Sequence, residues 1–404
     1  MCYESPENIP LKGSMNCTDQ FLILLTKKER PCFAEGGSEM RYRRLGNSGL
    51  IVSAVGLGSM QFGTGMNMGN LDQEATNGMV EYALEHGINF IDTANVYSQG
   101  ESERLLGNAL TGKREEIVLA TKARLPMGEN FNHSGATRVN ILREIEASLN
   151  RLQTDYIDLY QMHGWDSNTP LEETLRTLDD LVRQGVVRYI GLSNYLAWQA
   201  ATALGMQEQL NLEKYVTAQM YYSLVGRGLE HEFMSCAEYH NLGLLIWSPL
   251  AGGFLAGKYN RENPPERGTR FAEAGQFVPI DLEQGFEVVD VLRKIGKKHD
   301  VSPARVSLAW TLSRPNVSSV LIAARKIEHL EDNIQAVDLE LDQEDMELLN
   351  EVSDPGTPPY PKWMVLQLDQ AEDPRPRVLE PERFEDGGPW EDLRFKQMEL
   401  DHIE

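Results

Sequence analysis

The sequence predicts a (β/α)8 barrel, and three observations predict it. Eight short apolar runs recur along the chain, amphipathic stretches separate them, and no GxGxxG fingerprint follows the first run. The runs are SAVGLG (53–58), INFID (88–92), IVLATK (117–122), YIDLYQMH (156–163), VRYIGLSN (187–194), VTAQ (216–219), GLLIWSP (243–249) and VSSVLIA (317–323). Mostly continuous apolar character fits parallel strands buried on both faces. An open doubly wound sheet is the competing architecture. GLGSM resembles a dinucleotide turn only superficially, and its glycines equally permit close backbone packing.

Helical spacing fills the gaps. Ile141, Ile145, Leu149 and Leu152 fall on one helix face. The next helix is predicted to open with Thr169 as N-cap, Pro170 at its first position and Glu172 closing a capping box. Leu171, Leu175, Leu178 and Val182 would be its buried face, with Gly185 past its end. The compact fold is expected over 40–352. Residues 1–39 pattern weakly and read as an extension, either a flexible tail or a segment ahead of a true start at Met40. Residues 353–404 carry 13 acidic and 6 basic side chains and many prolines, and read as a tail that wraps the fold or stays partly disordered.

Composition narrows the function. A net charge of −23 argues against nucleic acid and anionic membranes as partners. FLILL (21–25) is too short to span a bilayer and lacks the basic start of a leader. The four cysteines make neither a disulfide framework nor a zinc pattern. A cytoplasmic location is therefore expected, and homo-oligomerisation is left open.

In such a barrel the chemistry sits at the C-terminal strand ends. Asp92 ends the second run and Tyr97 follows in its loop. Lys122 ends the third run and His163 the fourth; Ser193 and Asn194 end the fifth, and Gln219 the sixth. Each alone is most simply a cap, a turn residue or a solvated charge. Together at one rim they read as a site. A phenol titrates near pH 10, so a nearby ammonium, Lys122, is expected to lower its pKa toward neutrality. Asp92 would balance that lysine, and His163 would hold a carbonyl oxygen. The set reads as a proton relay for carbonyl–alcohol interconversion. With no metal-ligand spacing in the sequence, the hydride donor implied is a nicotinamide.

At this point the sequence closely resembles the aldo-keto reductases over roughly 40–352. The segments that carry the resemblance are RRLGNSGLIVSAVGLGSMQFG, FIDTANVYSQGESERLLGNAL, IVLATK, RLQTDYIDLYQMH, IGLSN, AQMYYSL, WSPLAGGFLAGKY and AARKIEHLEDN, in the family's order. The resemblance implies an N-terminal β-hairpin before the barrel, Tyr97 as general acid tuned by Lys122 and Asp92, and His163 orienting the carbonyl. It implies that Ser193, Asn194 and Gln219 hold the nicotinamide carboxamide and that Trp247 stacks on the ring. Ser248, Leu250, Gly252 and Lys258 would lie over the pyrophosphate. Arg325, Lys326 and His329 would meet a 2′-phosphate, favouring NADPH with NADH as the alternative, and Asp332 and Asn333 would flank the adenine. Ala323 stands where glycine is common in the family, and Ala324 where a small hydroxyl or alanine is. His329 stands where an always-charged residue is usual, which weakens phosphate pairing at high pH.

The substrate would be an aldehyde or ketone in a pocket around Met60, Phe62, Trp165 and Tyr222. Arg227 reads either as an anchor for an anionic group or as an ordinary ion pair. A different class also fits the resemblance: a cofactor-binding regulatory module like the potassium-channel β subunits, which can keep the same four residues.

Overall fold

A computed structural model describes residues 40–64, 70–264, 278–359, 361–362 and 364. The extension 1–39 and the acidic tail beyond 364 lie outside the described residues.

β1 (Tyr42–Arg44) and β2 (Ile51–Ser53) pair as an antiparallel hairpin. β3 (Val55–Gly58), β4 (Phe90–Asp92), β5 (Val118–Ala123), β6 (Ile157–Met162), β7 (Val187–Ser193), β8 (Tyr215–Tyr221), β9 (Gly243–Trp247) and β10 (Val317–Ile322) run parallel. β10 pairs with both β9 and β3, so the sheet is a closed barrel rather than an open one. Each predicted run contributes one strand. The hairpin residues Leu45 and Val52 pack with Phe90, Val118, Ala120, Leu159, Leu245 and Leu321, filling the barrel interior with apolar side chains. Gly56 needs its missing side chain, because a Cβ there would come within 2.7 Å of the Phe90 ring.

The helices follow the amphipathic stretches. Helix Arg138–Leu152 is capped by Thr137, which accepts from the Asn140 N–H, and it buries Ile141, Ile145 and Leu152. The predicted cap of the next helix is not formed. That helix runs Leu171–Arg183, Pro170 takes the N-cap position, and no side chain caps it. Thr169 instead donates to Asp166 Oδ2 at 2.6 Å. Asp166 also accepts from the backbone N–H groups of Ala136 and Asn168, so a loop carboxylate competes successfully for the hydroxyl. Leu175 and Leu178 are buried as predicted, and Gly185 adopts φ +75° past the helix end. Between β9 and β10 lie a short 3-10 segment (Ala251–Ala256) and helices Leu282–His299 and Pro303–Leu312.

Candidate active site

Strand register brings Asp92 and Lys122 together. Asp92, at the end of β4, lies opposite Ala120 on β5, so Lys122 is two residues further on and shares its face. Lys122 is fully buried. Its Nζ donates to Asp92 Oδ2 at 2.6 Å, to the Thr93 carbonyl at 2.8 Å and to the Tyr97 hydroxyl at 3.3 Å. All three ammonium donors are thereby used, which fixes the charge in direction as well as place. Asp92 Oδ1 accepts from Gln219 Nε2 at 2.8 Å and Gln161 Nε2 at 3.2 Å. Burial acts against the charged form of Lys122, but Asp92 and Tyr97 outweigh it and hold its pKa above the usual lysine value.

For Tyr97 the sequence expectation needs correcting. Burial is the largest influence and raises the phenol above its ordinary pKa; the Lys122 ammonium pulls the other way without winning. The site as it stands keeps the phenol protonated. Tyr97 opens a 3-10 turn in which Ser98, Gln99 and Gly100 have φ of 47°, 56° and 86°. Gly100 takes this backbone freely, but Ser98 and Gln99 carry a Cβ, so their left-handed conformation is costly and needs support from their surroundings.

Ser98 supplies part of that support by donating to the Phe62 carbonyl at 3.1 Å, and the chain just before the turn is anchored by a buried polar network which the sequence reading missed. Asn95, between Asp92 and Tyr97, donates to Glu144 at 2.7 Å. Arg143 donates to the other Glu144 oxygen at 2.6 Å. Arg151 lies 3.9 Å from Glu144 and donates to the fully buried Glu103 at 2.6 Å, which also accepts from Thr121 at 2.6 Å. The helical spacing held a signal for it: Glu144 follows Ile141 by three residues, which places a carboxylate on the apolar face.

His163 follows β6, and its ring meets Tyr97 edge-on at 5.9 Å. Its Nδ1 is sealed from solvent without a partner among the described residues. A bare lone pair there costs less than an unsatisfied N–H, which assigns the proton to Nε2. Burial first, then the charges of Lys122 and Arg124, depress its pKa to about 3. The imidazole is therefore neutral at neutral pH. Because an unfolded histidine titrates near 6.5, the unfolded chain binds the extra proton between those values. Stability from this group is present above about pH 6.5 and is lost as pH falls toward 3. Urea unfolding of His163→Gln should accordingly show a shallower loss of stability over that range than wild type; identical pH slopes would contradict the buried neutral assignment.

The residues predicted to hold a cofactor fall into two groups. Asn194, with φ +55°, donates to Ser193 Oγ at 3.0 Å and to the His163 carbonyl at 3.2 Å, and accepts from Trp247 Nε1 at 3.1 Å. Ser193 donates to the Gln219 carbonyl at 2.9 Å. These four side chains thus adjoin the Asp92–Lys122 pair. Past β9, Ser248 (φ +54°) accepts from Gly252 N at 3.3 Å, Leu250 is half-buried, and Gly252 and Gly253 have φ of 66° and 92°. Lys258 is exposed, with its ammonium over the Tyr259 ring. Beyond β10, Arg325, Lys326 and His329 are exposed. Asp332 and Asn333 are less available than expected. Asp332 is paired with Arg305 at 2.7 Å and accepts from Ser302, and Asn333 is 6% exposed.

The predicted substrate pocket is only partly formed by the residues named for it. Met60 and Trp165 are half-buried near the rim, but Phe62 is 1% exposed and packs in the core. Tyr222 is 0% exposed, stacks on Trp310 and donates its hydroxyl to Glu230. It has no surface left for a substrate. Strand alternation explains the difference: Gln219 faces Asp92, so Tyr221 shares that side and Tyr222 does not. Tyr221 is the ring beside Trp247, at 5.1 Å. Arg227 is committed to Glu230 through two nitrogens at 2.8 Å, so of its two readings the ion pair holds.

The family model described as "Aldo/keto reductase family" matches residues 54–354. The chain belongs to the aldo/keto reductase family. Among relatives, it is 37% identical over 325 residues to an uncharacterized oxidoreductase, YrpG, of Bacillus subtilis, covering 78% of this chain and 96% of that protein. It is 36% identical over 311 residues to a probable voltage-gated potassium channel subunit beta of Arabidopsis thaliana, covering 74% and 92%. It is 33% identical over 352 residues to protein tas of Escherichia coli, covering 80% and 100%. The aldo/keto reductase fold thus accounts for the closed barrel and its N-terminal hairpin. Among the described residues no helix is long and apolar enough to cross a membrane, and no cluster of three or more His, Cys, Asp or Glu could hold a metal ion.

Proposed function

We propose that this aldo/keto reductase is a cytoplasmic, NADPH-dependent reductase of aldehydes and ketones. One observation carries the reading. Lys122 Nζ is held between Asp92 Oδ2 and the Tyr97 hydroxyl, with the His163 ring against the Tyr97 ring. A protonated phenol, an oriented ammonium and a neutral imidazole are what proton delivery to a carbonyl oxygen requires. Tyr97 gives its proton to that oxygen as it gains charge. Lys122 stabilises the phenolate left behind. The Nε2–H of His163 donates to the same oxygen and aligns it.

The residues present fit a nicotinamide dinucleotide. Ser193, Asn194 and Trp247 are already linked by hydrogen bonds, and the half-buried Trp247 indole lies beside them. Gln219 Nε2 is taken by Asp92, which leaves the side-chain Oε1 for a carboxamide N–H. The cofactor supplies the hydride when bound. Ser248, Leu250, Gly252 and Lys258 would follow the pyrophosphate. Arg325, Lys326 and His329 would receive a 2′-phosphate, because Arg325 and Lys326 are exposed and make no ion pair among the described residues. Arg325→Ala should then weaken NADPH by about tenfold, the scale of one charge-assisted contact, and NADH far less; equal losses for both cofactors would remove the phosphate role.

The test is a titration with NADPH and NADH followed by tryptophan fluorescence, and then addition of 4-nitrobenzaldehyde. Quenching followed by cofactor oxidation supports the reductase. The similarity to a protein named as a probable potassium channel subunit supports a second reading, a cofactor-binding regulatory module. Tight cofactor binding without turnover of any carbonyl would favour that module. Binding of neither cofactor would overturn both readings.

A further inference from the structure

Arg124 directly follows β5, two residues past Lys122, and neither the tetrad nor the cofactor residues account for it. Its backbone has φ +129°, a value that residues with a Cβ rarely adopt. Such strain persists only where the surroundings enforce it, and it concentrates at functional positions. Here the Arg124 carbonyl accepts from Gly135 N at 2.8 Å, and Nη2 donates to the Trp165 carbonyl at 2.9 Å. The guanidinium is thereby held over the loop that leaves His163. The His163 backbone N–H donates at 2.9 Å to the carbonyl of Ala123, the residue before Arg124, and the Arg124 charge is one of the causes that keep His163 neutral.

The guanidinium is under-used. One of its five N–H groups reaches the Trp165 carbonyl, and Nε is sealed from solvent with no partner among the described residues. It makes no ion pair among those residues. Asp166, the carboxylate that feels its charge, is already committed to Thr169, Ala136 and Asn168. Arg227 is the contrast, with its guanidinium closed onto Glu230. Beside Arg124 stands an aromatic wall. The Trp165 ring meets Tyr195 at 5.3 Å and Trp198 at 5.7 Å, and Trp198 is 55% exposed. A cation with unused donors and no ion pair among the described residues, together with open indole surface, therefore lies next to the imidazole that would hold the carbonyl oxygen.

We propose that Arg124 is a specificity-determining residue that receives a carboxylate carried by an aromatic aldehyde or ketone, whose ring lies along Trp165 and Trp198. The assignment rests on the reductase reading of the same site. A planar guanidinium suits a carboxylate through paired N–H donors, and indole faces suit an aryl ring.

The test compares kcat/KM for 4-carboxybenzaldehyde and for its neutral ester, methyl 4-formylbenzoate, in the full-length protein with NADPH. Wild type should prefer the acid. Arg124→Met should lower the acid-to-ester ratio by about tenfold or more, the scale of a charged hydrogen bond. Arg124→Lys, which keeps the charge and loses the fork, should retain part of the preference. A wild type that prefers the ester, or an Arg124→Met ratio equal to wild type, would overturn the proposal. A second readout needs no turnover: terephthalate should quench tryptophan fluorescence in wild type, more weakly at high salt and in Arg124→Met. If wild type reduces 4-nitrobenzaldehyde but neither of these two, the proposal is overturned and the reductase reading stands; if it reduces none of the three, the reductase reading fails. Terephthalate quenching that depends on Arg124 would then still support the anion subsite, and quenching that is absent or indifferent to Arg124 would overturn it.

Discussion

Replacing Tyr97 with phenylalanine should lower turnover of an aromatic aldehyde by about 10²-fold or more, the scale of general acid catalysis, and leave NADPH affinity nearly intact. The substitution removes one oxygen. It leaves the Lys122–Asp92 pair at 2.6 Å and the Thr93 contact at 2.8 Å, so the buried ammonium keeps two acceptors. The loss should therefore fall on kcat rather than on cofactor binding. Single-turnover oxidation of NADPH by 4-nitrobenzaldehyde measures it, and an undiminished rate would end the Tyr97 assignment. The pH dependence adds a second criterion. Because burial raises the Tyr97 phenol above its ordinary value, the proton donor stays loaded across the neutral range. Reduction should lose its Tyr97 dependence on pH below about 10 and decline only above it.

The second large effect is on stability. Arg151→Met should destabilise the fold by about 3–5 kcal/mol, the cost of leaving a buried charge without its partner. Glu103 is fully buried, its contact to Arg151 is 2.6 Å, and that side chain is only 14% exposed, so water cannot readily replace the guanidinium. Urea unfolding followed by circular dichroism would report the change. The double variant Arg151→Met, Glu103→Gln should recover much of the loss, since it removes the orphaned charge. A single variant within 1 kcal/mol of wild type, roughly the worth of an exposed pair, would show that the pair is solvated.

The barrel was legible because both of its periodicities are strong: apolar runs for strands, and faces such as Ile141, Ile145 and Leu152 for helices. The rim was legible because polar residues interrupt apolar runs at their C-terminal ends. What could not be read were partnerships between segments distant in sequence. Thr169 looked like a helix cap because its competitor Asp166, three residues away, is itself held by the Ala136 N–H from a distant segment. Tyr97 looked like an acidified phenol because the ammonium was visible in the sequence and the depth of burial was not. Tyr222 and Tyr221 are adjacent aromatics, and only strand register decides which one faces inward. Arg124 carries no sequence signal at all, since backbone strain and an unpaired Nε exist only in three dimensions.

The two bonds to Asp92 Oδ1 have a consequence for how the protein comes to life. Gln161 and Gln219 reach that oxygen from 69 and 127 residues away, and the seam between β10 and β3 joins residues still further apart. Only a fragment that spans 92–219 holds all three groups. Contacts this remote pay their loop-closure entropy before they give anything back, so they form slowly. Catalytic competence should therefore appear late in refolding, after the helical signal has recovered, and an activity assay doubles as a clock for closure of the ring.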